Sequence, residues 1–243
     1  MFRLLAGIGL LLLFAQPMAA QTNQLNQQEE CGYENGFFCR NDWIGIRIEN
    51  SARLLFVNQD NDIDIEIPRY RINLDGYFLV PELTFKISRE FADGPQIKDA
   101  YLRWEFLTSP TNSLQIQTGR FKVPFSRQVL AGTNSRTLLD RSIAAQEFSL
   151  GRTSGAKLSF EHNKYIVADI GFFEGGTYAG RLLFSPTGER GFEESDWENK
   201  HDPEIAMAIN YAHDGRKNRG QIGYDFLIKF RGASFQAEKI GVP

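Results

Sequence analysis

The sequence predicts an all-β fold, an antiparallel β-barrel that crosses a membrane, from three observations. Apolar and polar residues alternate with a period of two through most of the chain after Asp42. The polar positions carry full charges in strand after strand, which a water-filled barrel interior allows. No apolar run after Phe14 has the roughly 20 residues that a membrane-spanning helix needs. A soluble β-sandwich is the alternative, because its strands also alternate.

Residues 1–20 are predicted to be a signal peptide. Arg3 supplies a positive start, Leu4 to Phe14 form an apolar run, and the segment that ends in Ala20 resembles a cleavage region. The apolar run is too short to cross about 30 Å of hydrocarbon, so it predicts export and not a membrane anchor.

Residues 21–41 form a polar lead-in that contains both cysteines of the chain, Cys31 and Cys39. In an oxidising compartment these two thiols are expected to pair and to close a short loop. Zinc binding is the alternative, but two thiols with no nearby histidine make a poor zinc site. The lead-in therefore predicts a disulfide, and the sequence indicates no metal site and no cofactor.

Residues 42–243 contain about nine or ten candidate strands. One of the clearest is 99–106, in which apolar Ala100, Leu102, Trp104 and Phe106 alternate with Asp99, Tyr101, Arg103 and Glu105. The long polar stretches 119–151 and 185–202 predict a barrel with short turns at one end and long loops at the other. The chain reaches Pro243 without an aromatic closing residue. Because an open sheet edge is not viable in lipid, we expect an incomplete piece of a larger barrel.

The charge of the chain is uneven. The formal net charge is −3, which argues against nucleic acid as a partner. Residues 119–152, however, hold six basic residues against two acidic ones. The basic residues are Arg120, Lys122, Arg127, Arg136, Arg141 and Arg152. Alternation stops after Phe125, and Leu138, Leu139 and Ile143 predict a short helix that residues 133–135 could cap.

This basic segment predicts an anion pathway, with residues 121–152 as a candidate constriction loop. A planar guanidinium suits an oxyanion, and several weak cationic sites conduct better than one deep site. Arg127 and Arg136 are the best candidates for contact with the anion. Arg141 beside Asp140 also fits an ion pair that anchors the loop. Arg120 and Lys122 continue a strand, and Arg152 could instead cap the return to the barrel.

Three short motifs give the segment a family likeness. They are Gly119-Arg120-Phe121-Lys122-Val123-Pro124-Phe125, Asp140-Arg141-Ser142, and Gly151-Arg152 followed by Gly155. This pattern resembles the phosphate-selective porin O/P family. The resemblance implies a sixteen-stranded outer-membrane barrel that forms homotrimers when full length, in contact with outer-membrane lipid. It also implies an inward-folded third loop and the passage of phosphate or other small anions in a Gram-negative-type bacterium.

Other functions remain open at this stage. A general outer-membrane porin without anion specificity is the first alternative, and a non-conducting outer-membrane β-protein is the second. A barrel hydrolase would need a nucleophile and a base. The histidines are His162, His201 and His213, and none lies in a recognisable nucleophile or metal motif. The sequence therefore predicts a protein that is not an enzyme.

Overall fold

The computed structural model describes residues 30–34, 36–59, 62–92, 94–132, 135–136, 141–188, 192–196 and 202–242. The predicted signal peptide lies outside the described residues. The strands are β1 (Glu30–Tyr33), β2 (Phe37–Arg40), β3 (Ile44–Gln59), β4 (Asp62–Phe78), β5 (Val80–Glu90), β6 (Gln96–Thr108), β7 (Asn112–Lys122), β8 (Arg152–His162), β9 (Ile166–Phe173), β10 (Thr177–Phe184), β11 (Glu204–Asp214), β12 (Arg219–Phe230) and β13 (Ala233–Gly241). The helices are α1 (Arg127–Leu130), α2 (Ile143–Glu147) and a 3₁₀ turn (Glu174–Gly176).

All thirteen strands form one antiparallel sheet in which each strand pairs with the next strand in sequence. The predicted all-β, antiparallel fold is therefore confirmed, although the count of nine or ten strands was too low. β1 and β13 are the two ends of the strand order, and the sheet is open between them. None of the helices in the described part of the chain has the length and apolarity that a membrane-spanning helix needs.

The two faces of the sheet differ in chemistry, because side chains alternate across a strand. On β6, Leu102, Trp104 and Phe106 are 43%, 51% and 45% exposed on what we call the outer face. Tyr101 and Arg103 lie between them on the opposite, inner face. A surface of large exposed apolar side chains is what a strand presents to lipid.

The first two strands form a hairpin that a disulfide closes. Cys31 lies directly opposite Cys39 in the β1–β2 register, with their Cα atoms 4.1 Å apart, and the two sulfurs are bonded. β2 then pairs with β3, with Phe38 opposite Arg47. The hairpin thus extends the sheet beyond the first long strand.

The two long connections lie at opposite ends of the sheet. Since adjacent strands are antiparallel, the β7–β8 connection (residues 123–151) leaves from one end and the β10–β11 connection (residues 185–203) leaves from the other. The expectation of long loops at a single end was therefore wrong. Both connections fold over the inner face of β9–β13, where the backbone N–H of Glu194 donates to the carbonyl of Ser135 at 2.8 Å.

In its described residues, the β7–β8 connection carries two short helices, α1 and α2. α2 begins at Ile143, and the hydroxyl of Ser142 caps it by accepting from the Ala145 N–H. The predicted cap at residues 133–135 stays a prediction, because residues 133 and 134 lie outside the described residues. Leu138 and Leu139 lie outside the described residues.

Packing on the inner face is concentrated under these connections. One cluster joins Phe121, Val123, Phe125, Phe173, Ala179 and Ala212, and a second joins Leu183, Ala206, Ala208 and Leu227. The inner face of β10–β12 therefore behaves as a core, whereas the inner face of β3–β8 stays partly exposed.

Candidate functional site

The β7–β8 connection turns inward directly after Lys122. Val123 and Phe125 are each 1% exposed and pack against Phe173 on β9. Pro124 between them has no N–H to donate to the strand ladder, which favours the end of β7 at this point. The apolar Val-Pro-Phe run therefore anchors the start of the connection to the inner face.

A buried polar network then holds α1 against distant strands. The backbone N–H of Ser126 donates to Oδ1 of Asn210 on β11 at 2.8 Å. The backbone N–H of Arg127 donates to Oε1 of Glu238 on β13 at 2.9 Å. These bonds join residues that are 84 and 111 positions apart in sequence. These bonds thus attach the start of α1 to β11 and β13.

Arg127 belongs to this network and not to an open passage. Its side chain is 1% exposed, with Nη1 3.9 Å from Oδ1 of Asp225 and the guanidinium carbon 5.5 Å from the centre of the Phe192 ring. Burial lowers the pKa of Arg127, and the nearby Asp225 carboxylate opposes that shift. The expectation that Arg127 contacts the anion is corrected, because the side chain is enclosed between the wall and both long connections.

The other side of the loop borders a pocket of about 440 Å³ on the inner face of β3–β8. We call it the cationic pocket. The basic residues that line it are Arg69, Arg71, Lys86, Arg103, Lys122, Arg152 and Lys157. Leu130 and Gly132 contribute the loop side, and Asp99 is the acidic residue of the lining. Strand alternation places five of these cations on the inner face, namely Arg69, Arg71, Lys86, Arg103 and Lys157. Lys122 and Arg152 instead lie at the end of β7 and the start of β8, where the chain leaves and rejoins the sheet.

Carboxylates neutralise part of this positive charge. Nε of Arg152 lies 2.8 Å from Oδ1 of Asp99, and Nζ of Lys157 lies 3.1 Å from Oδ1 of Asp169. Nη2 of Arg71 lies 2.9 Å from Oε2 of Glu90, which is also 3.8 Å from Nε of Arg69. Seven cations therefore face three carboxylates, and a positive excess remains.

Two of the lining cations make bonds to neutral groups. Nζ of Lys122 donates to the carbonyls of Leu130 and Ala131, both at 2.9 Å. Nη2 of Arg103 donates to Oε1 of Gln117 at 3.2 Å. The neutral partner of Arg103 therefore leaves the charge of its guanidinium uncompensated, whereas Lys122 mainly holds the loop carbonyls.

The structure brings four of the six predicted residues together. Lys122 and Arg152 line the cationic pocket. Arg141 lies beside it, with Nε donating to the carbonyl of Gln128 at 3.2 Å. Burial lowers the pKa of Arg141, and the nearby charges of Arg136 and Arg152 lower it further. The charge of Arg136 is therefore close enough to Arg141 to act on it.

Two predicted features are not part of this group. Arg120 is exposed and lies on the outer face, opposite Ala100 in the β6–β7 register, because one position separates it from inner-face Phe121. Its expected place in an anion pathway is therefore corrected. The proposed Arg141–Asp140 ion pair lies outside the described residues, since Asp140 is not among them.

Five basic residues that line the cationic pocket lie outside the basic segment 119–152, so the charge of that segment does not predict them. They are Arg69, Arg71, Lys86, Arg103 and Lys157. Lys86, Arg103 and Lys157 occupy polar positions of strands whose alternation is plain in the sequence. Their shared signal is that neighbouring strands each place a cation at an inner-face position.

A comparison with family models matches residues 44–198 to the description "phosphate-selective porin O and P". The matched range runs from β3 to the β10–β11 connection, includes every residue that lines the cationic pocket, and covers well over half of the chain. No curated protein matches the chain.

Proposed function

Because the chain belongs to the phosphate-selective porin O and P family and is thus an outer-membrane porin, we propose that it passes phosphate or similar small anions along the cationic pocket. The excess of seven cations over three carboxylates carries this proposal. A ring of cationic side chains in a narrow passage lowers the barrier for anions and excludes cations.

The individual cations are assigned different roles in the proposed pathway. Lys86 and Arg103 lie on the wall and form no ion pair within the described residues, so they attract the anion. Lys122 holds the carbonyls of Leu130 and Ala131, which keeps the loop beside the passage. Arg152 is paired with Asp99 and serves mainly to position that carboxylate.

A general porin is the second candidate, and the acidic residues of the inner face favour it. Asp99, Glu90 and Asp169 each neutralise a cation that would otherwise hold an anion. A porin with this mixture of charges would prefer anions weakly and would also pass neutral solutes. The two candidates differ in the strength of anion preference and in whether phosphate blocks the chloride current.

Conductance in planar bilayers tests the proposal. We expect the folded chain to give an anion-selective reversal potential in a KCl gradient, and added phosphate to reduce the current. The double variant Lys86→Gln with Arg103→Gln should weaken both effects, whereas Asp99→Asn should strengthen anion preference. Arg120→Gln is the matched control, because this cation lies on the outer face of the same sheet.

The proposal fails if the folded protein gives no current, or if Lys86→Gln with Arg103→Gln changes selectivity no more than Arg120→Gln does. Weak anion selectivity without phosphate block would favour the general porin. Export by residues 1–20 and assembly into homotrimers stay predictions, which amino-terminal sequencing of the mature protein and native mass spectrometry would test.

A further inference from the structure

A second pocket adjoins the cationic pocket on the inner face and differs from it in being aromatic. It has a volume of about 390 Å³, within the range of about 300–1,000 Å³ usual for small-molecule sites. We call it the aromatic pocket. The rings of Phe38, Tyr77, Phe85 and Tyr101 line it, together with the cations Arg40, Arg47, Lys86 and Arg103 and the carboxylate of Asp75. Lys86, Tyr101 and Arg103 line both pockets and therefore lie at the boundary between them.

The ring of Tyr77 is fixed in place. Its hydroxyl donates to the carbonyl of Asn41 at 2.6 Å. The ring lies against the backbone of Gly45, where a Cβ atom would be only 2.2 Å from it. The ring therefore packs on the strand at Gly45 and also lines the aromatic pocket. A rigid aromatic surface loses little conformational entropy when a flat group stacks on it.

The second ring, Tyr101, is also held by its neighbours. It packs edge-on against Phe121, with ring centres 6.1 Å apart, and the guanidinium of Arg103 lies 5.4 Å from its centre. Arg103 and Lys86 thus stand where the aromatic surface meets the cationic pocket. A ligand with a flat ring and a charged end would satisfy both regions at once.

We propose that the aromatic pocket binds the ring of an organic anion, such as an aryl phosphate, whose charged group lies between Lys86 and Arg103. This inference rests on the proposed anion pathway and specifies its solute class. Inorganic phosphate has no apolar surface to place against Tyr77 and Tyr101. A flat ring gains contact with the aromatic side chains, and aromatic pairs stabilise a contact beyond what their buried area alone contributes.

Calorimetric titration of the full chain, folded in detergent micelles, tests this inference with three probes. Phenyl phosphate has a ring and a phosphate, glycerol phosphate has the phosphate without an aromatic ring, and inorganic phosphate has the charge alone. We expect phenyl phosphate to bind about fivefold more tightly than glycerol phosphate. Tyr77→Leu should remove that preference and leave the affinity for inorganic phosphate unchanged. Tyr77→Phe, which keeps the ring, should retain the preference.

Equal binding of phenyl phosphate and glycerol phosphate to the unaltered chain would overturn the inference without any variant. An equal loss of affinity for all three probes in Tyr77→Leu would also overturn it. Either result, combined with anion-selective current in bilayers, would leave the proposed anion pathway standing. A ring preference in a protein without anion-selective current would overturn the pathway and keep the aromatic pocket as a binding site.

Discussion

Arg181 and Asp225 form a two-pronged ion pair on the buried inner face of β10 and β12. Nη1 of Arg181 lies 2.6 Å from Oδ2 of Asp225, and Nη2 lies 3.0 Å from Oδ1. Asn210 accepts a further bond from Arg181 at 3.0 Å through the same oxygen that receives the N–H of Ser126. One ion pair in the wall therefore supports the start of the inward-folded connection.

Removal of Asp225 is expected to destabilise the folded protein strongly. Asp225→Ala leaves Arg181 and Arg127, which are 4% and 1% exposed, without this carboxylate. The expected cost is about 3–5 kcal/mol of unfolding free energy, because uncompensated charges stay buried. Urea unfolding of the chain in detergent micelles measures it. Glu147→Ala is the control, since the Glu147 side chain is 63% exposed and its pair with Arg219 should contribute about 1 kcal/mol or less. Equal effects of the two substitutions would contradict the assigned role of the network.

A side chain at position 119 is expected to disturb the strand that leads into the loop. Gly119 has a φ of +121°, and an added Cβ would lie 2.3 Å from the carbonyl oxygen of Ala100. Gly119→Ala should therefore cost about 1–3 kcal/mol from the backbone conformation, with more from the clash. Gly180→Ala is the matched control, because the nearest atom would be 3.6 Å away. The midpoint of thermal unfolding should fall for the first variant only, and an unchanged midpoint would contradict the backbone conformation at Gly119.

The contact between the two long connections can be tested by cross-linking. The bond from the Glu194 N–H to the Ser135 carbonyl brings the two backbones together. Cysteines at both positions are expected to form a disulfide, because hydrogen-bonded neighbours of this kind lie within the Cα separation that a disulfide spans. Mass spectrometry of proteolytic fragments should find the cross-link in Ser135→Cys with Glu194→Cys under oxidising conditions. Each single variant should keep a free thiol. Two free thiols in the oxidised double variant would show that the connections do not meet.

The sequence predicts the strands best where one face of the sheet is polar and exposed to water and the other face is apolar. On β6, the alternation of Leu102 and Trp104 with Arg103 is reproduced in the structure. On β10 the signal fails, because inner-face Ala179 and Leu183 are buried under the connections and are as apolar as outer-face Leu182. An inner face that combines apolar Ala179 and Leu183 with Arg181 weakens the period of two, which explains part of the low strand count.

The candidate site, too, could be predicted only in part from the sequence. The sequence locates the basic segment, and Lys122 and Arg152 do line the cationic pocket. It does not reveal that Arg127 is buried, because the carboxylate beside it, Asp225, lies almost a hundred positions later. The contributions of Arg69 and Lys86 depend on strand register, which brings distant segments side by side. The density of charge along the sequence therefore identifies the β7–β8 connection as basic. It does not identify the strand residues that face this connection across the pocket.

The uneven coverage of the inner face has a consequence for evolution and engineering. On β10–β12, inner residues such as Arg181, Asn210 and Asp225 are buried under the connections, so their replacement lowers the stability of the fold. On β5 and β6, inner residues such as Lys86 and Arg103 border open space, so their charge can change at little cost to packing. Substitutions on β5 and β6 can therefore change the solute preference, while the buried residues of β10–β12 maintain the fold.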